Sequence, residues 1–194
     1  TPFESLVVSA SIYDEAVDNA GVAILEGAQG FSLSINQGFY PYTTSRDCTT
    51  HQLLSDCSIP RRGMYEYTKV YGCARTYPIR VANRFDADGK QIGTSGPCYD
   101  DQQEIEWSRL GMEPELTTVT KLPRRIFTFS AWQIRDAIRM NGVDEVFLNF
   151  VNYIDKDQDP AAMRFNDYHR IIEDTPACLT MVGVGPTFRD VVVV

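Results

Sequence analysis

Four short apolar runs in this chain each stop in a cluster of small or polar residues, and helix-like patterns separate them. "VAIL" (Val22–Leu25) stops at Glu26-Gly27-Ala28-Gln29-Gly30, and "YPIRV" (Tyr77–Val81) at Ala82-Asn83. "VFLNFV" (Val146–Val151) stops at Asn152, and "CLTMVGVG" (Cys178–Gly185) at Pro186. Continuous apolar runs of this length suit strands buried on both faces. Helical spacing joins Ile12, Ala16 and Val17 within residues 11–20, and Tyr67, Val70, Tyr71 and Ala74 within Arg61–Thr76. It recurs at Ile134, Ala137 and Ile138, behind the candidate N-cap Ser130 and before Asn141-Gly142, and near Met163–Glu173. Strands alternating with helices predict an α/β fold with a mostly parallel sheet and flanking helices. In such sheets ligands bind beyond the carboxyl ends of the strands. Four segments qualify: Glu26–Gly30, Val81–Asn83, Asn149–Asn152 and Gly183–Pro186. Gly and Ala let backbone amides approach a ligand there, and Gln29 offers a donor and an acceptor together. Close packing explains the same glycines equally well.

The remaining features narrow the class. A length of 194 residues and 43% apolar content predict one globular domain. The net charge of −8 argues against general affinity for nucleic acid, while small anionic ligands need only a few local cations. No apolar run approaches the roughly 18–20 residues of a membrane span, and no signal peptide opens the chain. The first residue is Thr1, so a cut N-terminus is expected. Cys48, Cys57, Cys73, Cys98 and Cys178 form no C-x-x-C pair and read as free thiols of a reducing cytoplasm. With only His51 and His169, a histidine-based metal site is not expected. Asp86–Gly93 and Asp155–Pro160 have spaced carboxylates but lack the EF-hand glycine and final glutamate, and both read as solvated turns. Asp88-Gly89 marks a hairpin turn. Val191–Val194 fits either a strand or a loose end.

Longer stretches carry more information. "EGAQGFSLSINQGFYPYTTSRDCT" (26–49), "IRVAN" (79–83), "ELTTVTKLPRRIFTFSAWQIRDAIRMN" (115–141) and "GVGP" (183–186) occur in this order. Together they resemble the C-terminal half of adenylosuccinate synthetase, from about Ser11 to Pro186. The resemblance implies the C-terminal portion of that P-loop-NTPase-like fold, with residues 1–194 as part of one domain. It implies a C–N ligase in which a 6-oxopurine nucleotide is phosphorylated on O6 and L-aspartate then displaces phosphate. Carried over by motif, Gln29, Leu33, Thr44 and Val81 would meet the purine nucleotide. Thr118, Val119, Thr120, Lys121 and Arg124 would surround aspartate. Arg124, Asn149, Asn152, Gly183, Val184, Gly185 and Pro186 would hold the donor nucleotide. The residues alone leave Leu33 and Val81 as core, and Arg124 and Arg125 as a solvated pair.

Three departures shape the expected substrates. Most of the family has an aspartate, which accepts from guanine, where this chain has Asn152. An amide both donates and accepts, which suits adenine, so ATP or dATP is the expected donor in place of GTP. Leu122 replaces an arginine near the ribose, which favours a deoxynucleotide. "NRFDADGKQIGTSGPCYDDQ" (83–102) replaces the usual "GAGPFPTEL" region. These features resemble the bacteriophage 2-aminoadenylosuccinate synthetases, which use dGMP. The ordinary reaction of IMP with GTP remains the alternative, as does a non-catalytic nucleotide-binding fragment. The family's phosphate loop, catalytic Asp and catalytic His have no counterpart here. Mg2+ ligands are therefore expected outside this chain, and the 194 residues alone are expected to be inactive. A homodimer in the cytoplasm, the host's if the protein is phage-encoded, without nucleic-acid or membrane partners, completes the expectation.

Overall fold

The computed structural model describes residues 19, 21–57, 59 and 68–194. Contacts group the chain into two compact units, Thr1–Thr68 and Lys69–Val194. The expected helix within residues 11–20 lies almost wholly outside the described residues.

In the first unit, helix α1 (Thr50–Asp56) begins where Thr49 Oγ1 accepts the Gln52 N–H at 3.4 Å. Val22–Leu25 is not a strand. Val22 and Ile24 are 82% and 89% exposed. An apolar run states a preference for burial, but a strand also needs a partner edge, and none pairs with this one among the described residues.

The second unit is built on a four-stranded sheet in the order β1 (Tyr71–Arg75), β7 (Glu145–Asn149), β8 (Cys178–Gly183), β9 (Val191–Val193). The first two pairings are parallel and the last is antiparallel. The fold is thus α/β with a mostly parallel sheet, and the C-terminal valines form its antiparallel edge. Between β7 and its neighbours run α2 (Ala131–Asn141) and α3 (Phe165–Glu173). Ser130 caps α2 by accepting the Gln133 N–H at 2.9 Å, and Gly142 closes it at φ +60°. Asp101 accepts from both Ser130 Oγ and the Trp132 N–H, placing a carboxylate at the positive end of the helix. Val146 and Leu148 on β7, Ile138 on α2 and Ile172 on α3 fill one core. Each such side chain contributes about 1.5–3 kcal/mol through burial.

The stretch Arg61–Thr76 does not form the expected helix over its described part, because Tyr71–Arg75 is strand β1. Gly72 and Ala74 share one face at period two. A side chain at 72 would meet Val143 Cγ1 at 3.0 Å, so glycine lets the strand lie against the core. Tyr77–Val81 contributes only β2 (Ile79–Arg80). It pairs antiparallel with β6 (Arg125–Phe127), which also pairs with β5 (Glu104–Ile105). Val81–Asn83 therefore follows a strand of this smaller sheet. The hairpin β3 (Arg84–Phe85) and β4 (Gln91–Gly93) turns at Asp88-Gly89, as its sequence predicts, with the Asp86 carboxylate accepting the N–H groups of Asp88 and Lys90.

Candidate functional site

Parallel pairing of β7 with β8 brings Asn149 and Gly183 together at the carboxyl ends of both strands. A Cβ at 183 would lie 2.7 Å from Asn149 Oδ1, so glycine makes room for the asparagine side chain. Glycine at 185 makes room for Asp190 in the same way, and Asp190 holds the Thr187 N–H and hydroxyl at 2.9 and 2.7 Å. Val184 projects 41% exposed, and Pro186 is exposed. Four of the residues assigned to the donor nucleotide thus line the end of one strand, beside Asn149.

Asn152 stands in a short 3-10 turn segment, Val151–Lys156, entered through Phe150 at φ +64°. Both ends of the turn are fixed. At its start the Phe150 carbonyl accepts from Thr76 Oγ1 at 2.7 Å and from the Tyr153 N–H at 2.9 Å. At its end Asp157 accepts from Arg109 Nε and Nη2 at 2.7 and 2.9 Å, and from Tyr77 Oη at 2.7 Å. Burial works to raise the Asp157 pKa. The Arg109 pair, the Asp159 N–H and the Tyr77 hydroxyl outweigh it and hold the carboxyl below its usual range. The expectation of a solvated turn at Asp155–Pro160 holds for Asp155, Lys156, Gln158 and Pro160, which are exposed, and fails at Asp157, whose side chain is 1% exposed because an arginine from a distant segment reaches it. The Asn149 and Asn152 amides make no hydrogen bond among the described residues, in contrast to these neighbours.

The threonine–arginine segment is a tight loop. Leu116 and Pro123 form an isolated bridge, and the Thr117 N–H donates to the Leu122 carbonyl at 2.9 Å. Buried Thr117 shares a 2.5 Å hydrogen bond with Thr120 and accepts the Leu122 N–H at 3.0 Å. Thr118, Val119, Thr120 and Lys121 are all exposed at its tip, with Lys121 at φ +54°. The paired arginines separate completely. Arg125 clamps Glu104 through Nε and Nη2 at 2.8 and 2.5 Å and also donates to Ser95 and Gly96. Arg124 forms no ion pair among the described residues. It lines a cavity of about 810 Å³ with Leu122, Trp107 and Met112, and Trp107 Nε1 donates to its carbonyl at 2.7 Å.

Within the first unit, Gln29 is exposed at φ +74° and precedes a 3-10 turn, Phe31–Leu33. The Thr44 N–H donates to the Leu33 carbonyl at 2.8 Å, so two of the four purine candidates sit side by side. Fully buried Ser34 donates to Asp47 at 2.7 Å, and Asn36 donates to the other Asp47 oxygen at 2.9 Å. Leu33 is half-buried and Val81 is 54% exposed; neither is deep core. Gln29, Lys121 and Phe150 are the non-glycine residues with positive φ among the described residues, and each lies in a different candidate segment. Such conformations cost about 1–3 kcal/mol and persist where the surroundings impose them.

The family model described as adenylosuccinate synthetase matches residues 3–190. The chain belongs to the adenylosuccinate synthetase family. It is 52% identical, over 81% of its length and 40% of theirs, to the N6-succino-2-amino-2'-deoxyadenylate synthase of Acinetobacter phage SH-Ab 15497. Identity is again 52% with the synthase of the same name from Salmonella phage PMBT28, over 86% of this chain and 46% of the relative. A solved structure, cyanophage S-2L succinoaminodeoxyadenylate synthetase bound to dGMP and dATP as an energy donor, aligns with a TM-score of 0.83. Identity there is 45%, covering 96% of this chain and 50% of that one. The fully ligated adenylosuccinate synthetase of Plasmodium falciparum shares the fold at a TM-score of 0.73 and 18% identity, over 99% of this chain and 55% of that one. The chain spans about half, or less, of the length of the curated relatives it matches. Among the described residues no helix is long and apolar enough to cross a membrane, and no group of three His, Cys, Asp or Glu is placed to hold a metal ion.

Proposed function

We propose that the intact protein joins L-aspartate to C6 of dGMP, using ATP or dATP to phosphorylate O6 first. The aspartate amine then attacks C6 and phosphate leaves. The chain's own part is binding and orientation. Gln29 addresses the purine 6-substituent, Leu33 and Val81 lie along the nucleotide, and Thr44 donates to its 5'-phosphate. Thr118, Val119, Thr120, Lys121 and Arg124 receive the aspartate carboxylates: hydroxyls, backbone N–H groups, an ammonium and a guanidinium without an ion pair among the described residues are all donors suited to carboxylate oxygens. Asn149, Asn152 and Gly183–Pro186 receive the donor nucleotide, with Arg124 near its phosphates.

The observation that carries this reading is the Asn152 amide, without a hydrogen-bond partner among the described residues and held in a turn pinned at both ends. A carboxylate there would accept two N–H groups from a guanine edge, whereas an amide complements adenine, which offers one donor and one acceptor. The relatives' names and the dGMP and dATP bound to the cyanophage protein support the same choice. Leu122 lines the cavity beside Arg124 and has no polar atom for a sugar hydroxyl, which suits a deoxynucleotide. Steady-state assays of the intact protein with aspartate and ATP test the reading: dGMP is expected to give a higher kcat/KM than IMP, and the reverse order would overturn it.

A further inference from the structure

The turn that carries Asn152 and the loop that carries Thr118–Lys121 lie far apart in sequence, yet one side chain touches the root of both. Arg75 ends β1. Its Nη2 and Nη1 reach the two Glu115 carboxylate oxygens at 2.5 and 3.3 Å, and its Nε donates to the Tyr77 carbonyl at 3.2 Å. The guanidinium carbon also lies 3.7 Å from the centroid of the Phe150 ring. Glu115 is the base of the threonine loop, because its carbonyl accepts the Arg124 N–H at 2.8 Å. Phe150 is the left-handed residue from which the Asn152 turn starts. A planar fork can bind a carboxylate edge-on and cover an aromatic face at the same time, whereas an ammonium supplies only a point charge.

We propose that Arg75 is a positioning residue shared by the two segments, setting the Glu115 root of the threonine loop and the Phe150 root of the Asn152 turn together. Assigning aspartate to one segment and the donor base to the other rests on the function proposed above; the shared anchoring rests on the contacts alone. Loosening Arg75 therefore disturbs both binding elements together. The neighbouring Thr76 acts on one root only, through the Phe150 carbonyl.

Hydrogen exchange on the intact protein tests the anchoring, read at the Arg124 amide, which is bonded to Glu115, and the Tyr153 amide, which is bonded to Phe150. Arg75→Lys is expected to speed exchange at both by about tenfold. Glu115→Gln, which retains the side-chain shape, is expected to move the same two amides by less. Phe150→Leu should move the Tyr153 amide alone. Acceleration at one root only, or at neither, in Arg75→Lys and Glu115→Gln would overturn the proposal, whatever the wild-type protein turns over. The kinetic readout separates positioning from a general loss of structure. In Arg75→Lys the KM values for aspartate and donor nucleotide rise together, by about three- to tenfold, while that for dGMP stays within about twofold. Equal rises in all three, or a rise in one of the pair alone, contradicts it. A wild-type protein inactive on these substrates counts against the proposed reaction, and hydrogen exchange still decides the anchoring.

Discussion

The two compact units hold their site segments by different means. In the second unit, Asn149 and Gly183 are placed by a parallel ladder with Val146 and Leu148 fully buried beneath it. In the first, Gln29–Asp47 contains neither strand nor α-helix, and a buried serine, an aspartate and a crowded glycine supply the order. A sheet end tolerates change in any one side chain that the ladder does not need. A loop ordered by individual hydrogen bonds and close approaches, without a ladder, is weakened when a central one is lost, and the exception in the sheet unit is the ion pair that closes the Asn152 turn.

That pair gives the largest expected effect. Asp157→Ala leaves Arg109 and Tyr77 without their acceptor and is expected to cost about 3–5 kcal/mol, measured by denaturant unfolding. A loss below about 1 kcal/mol would show that the ladder alone fixes the turn. Gly38→Ala probes the other unit. Its Cβ would meet the backbone oxygens of Ser32 and Ser34 at 2.5 and 2.7 Å, and backbone cannot step aside. About 1–3 kcal/mol is expected, with faster exchange at the Ile35 amide bonded to Arg46. If β7 amides accelerate equally, the two units unfold as one and the contrast is broken. Gly183→Ala meets Asn149 Oδ1, the far end of a side chain that can rotate. Stability should change by about 1 kcal/mol or less, while donor-nucleotide KM rises severalfold. No change in that KM would remove Asn149 from the donor site.

Titration gives the gentlest test. For Asp157 and Asp47 burial pushes the pKa up, and hydrogen bonds outweigh it, leaving both depressed below 3.8. Their contribution is present above about pH 4 and is lost as pH falls through the folded values. Burial first, and the bond to Asp157 second, raise the Tyr77 pKa above 10. Its contribution is present below about pH 10 and is lost as pH rises beyond it. Thermal melts across pH should therefore show the Lys69–Val194 unit weakening at both extremes. In Tyr77→Phe the alkaline loss should shrink.

What the sequence revealed follows from the same contrast. Helix α2 was legible because Ser130 and Gly142 punctuate it locally, and the Asp88-Gly89 hairpin for the same reason. β1 was not: Tyr67, Val70, Tyr71 and Ala74 fit a helical period, and it is parallel pairing with β7, distant in sequence, that makes Gly72 a strand residue opposite Val146. Val22–Leu25 was apolar enough for a strand but has no partner among the described residues. The candidate segments were readable as motifs, yet their supports were not. "DKDQDP" looks solvated until Arg109 is brought to Asp157, and nothing near Arg75 or Glu115 announces that they meet. Neighbouring Arg124 and Arg125 are indistinguishable in sequence, and Glu104 on a facing strand separates their roles. Such pairings are made by tertiary structure, which local patterns do not encode. Among the described residues, positive φ at Gln29, Lys121 and Phe150 falls in three of the candidate segments.

The central claim is that the Asn152 amide selects an adenine donor, and a base swap tests it most directly. The ratio of kcat/KM for ATP to that for GTP, with dGMP and aspartate saturating, is measured for the intact protein and for Asn152→Asp. The account predicts a ratio well above one in the wild type, falling by about tenfold or more in the variant as a hydrogen-bonded base is rejected for leaving polar groups unpaired. A wild-type preference for GTP, or a ratio unmoved by the substitution, would contradict it.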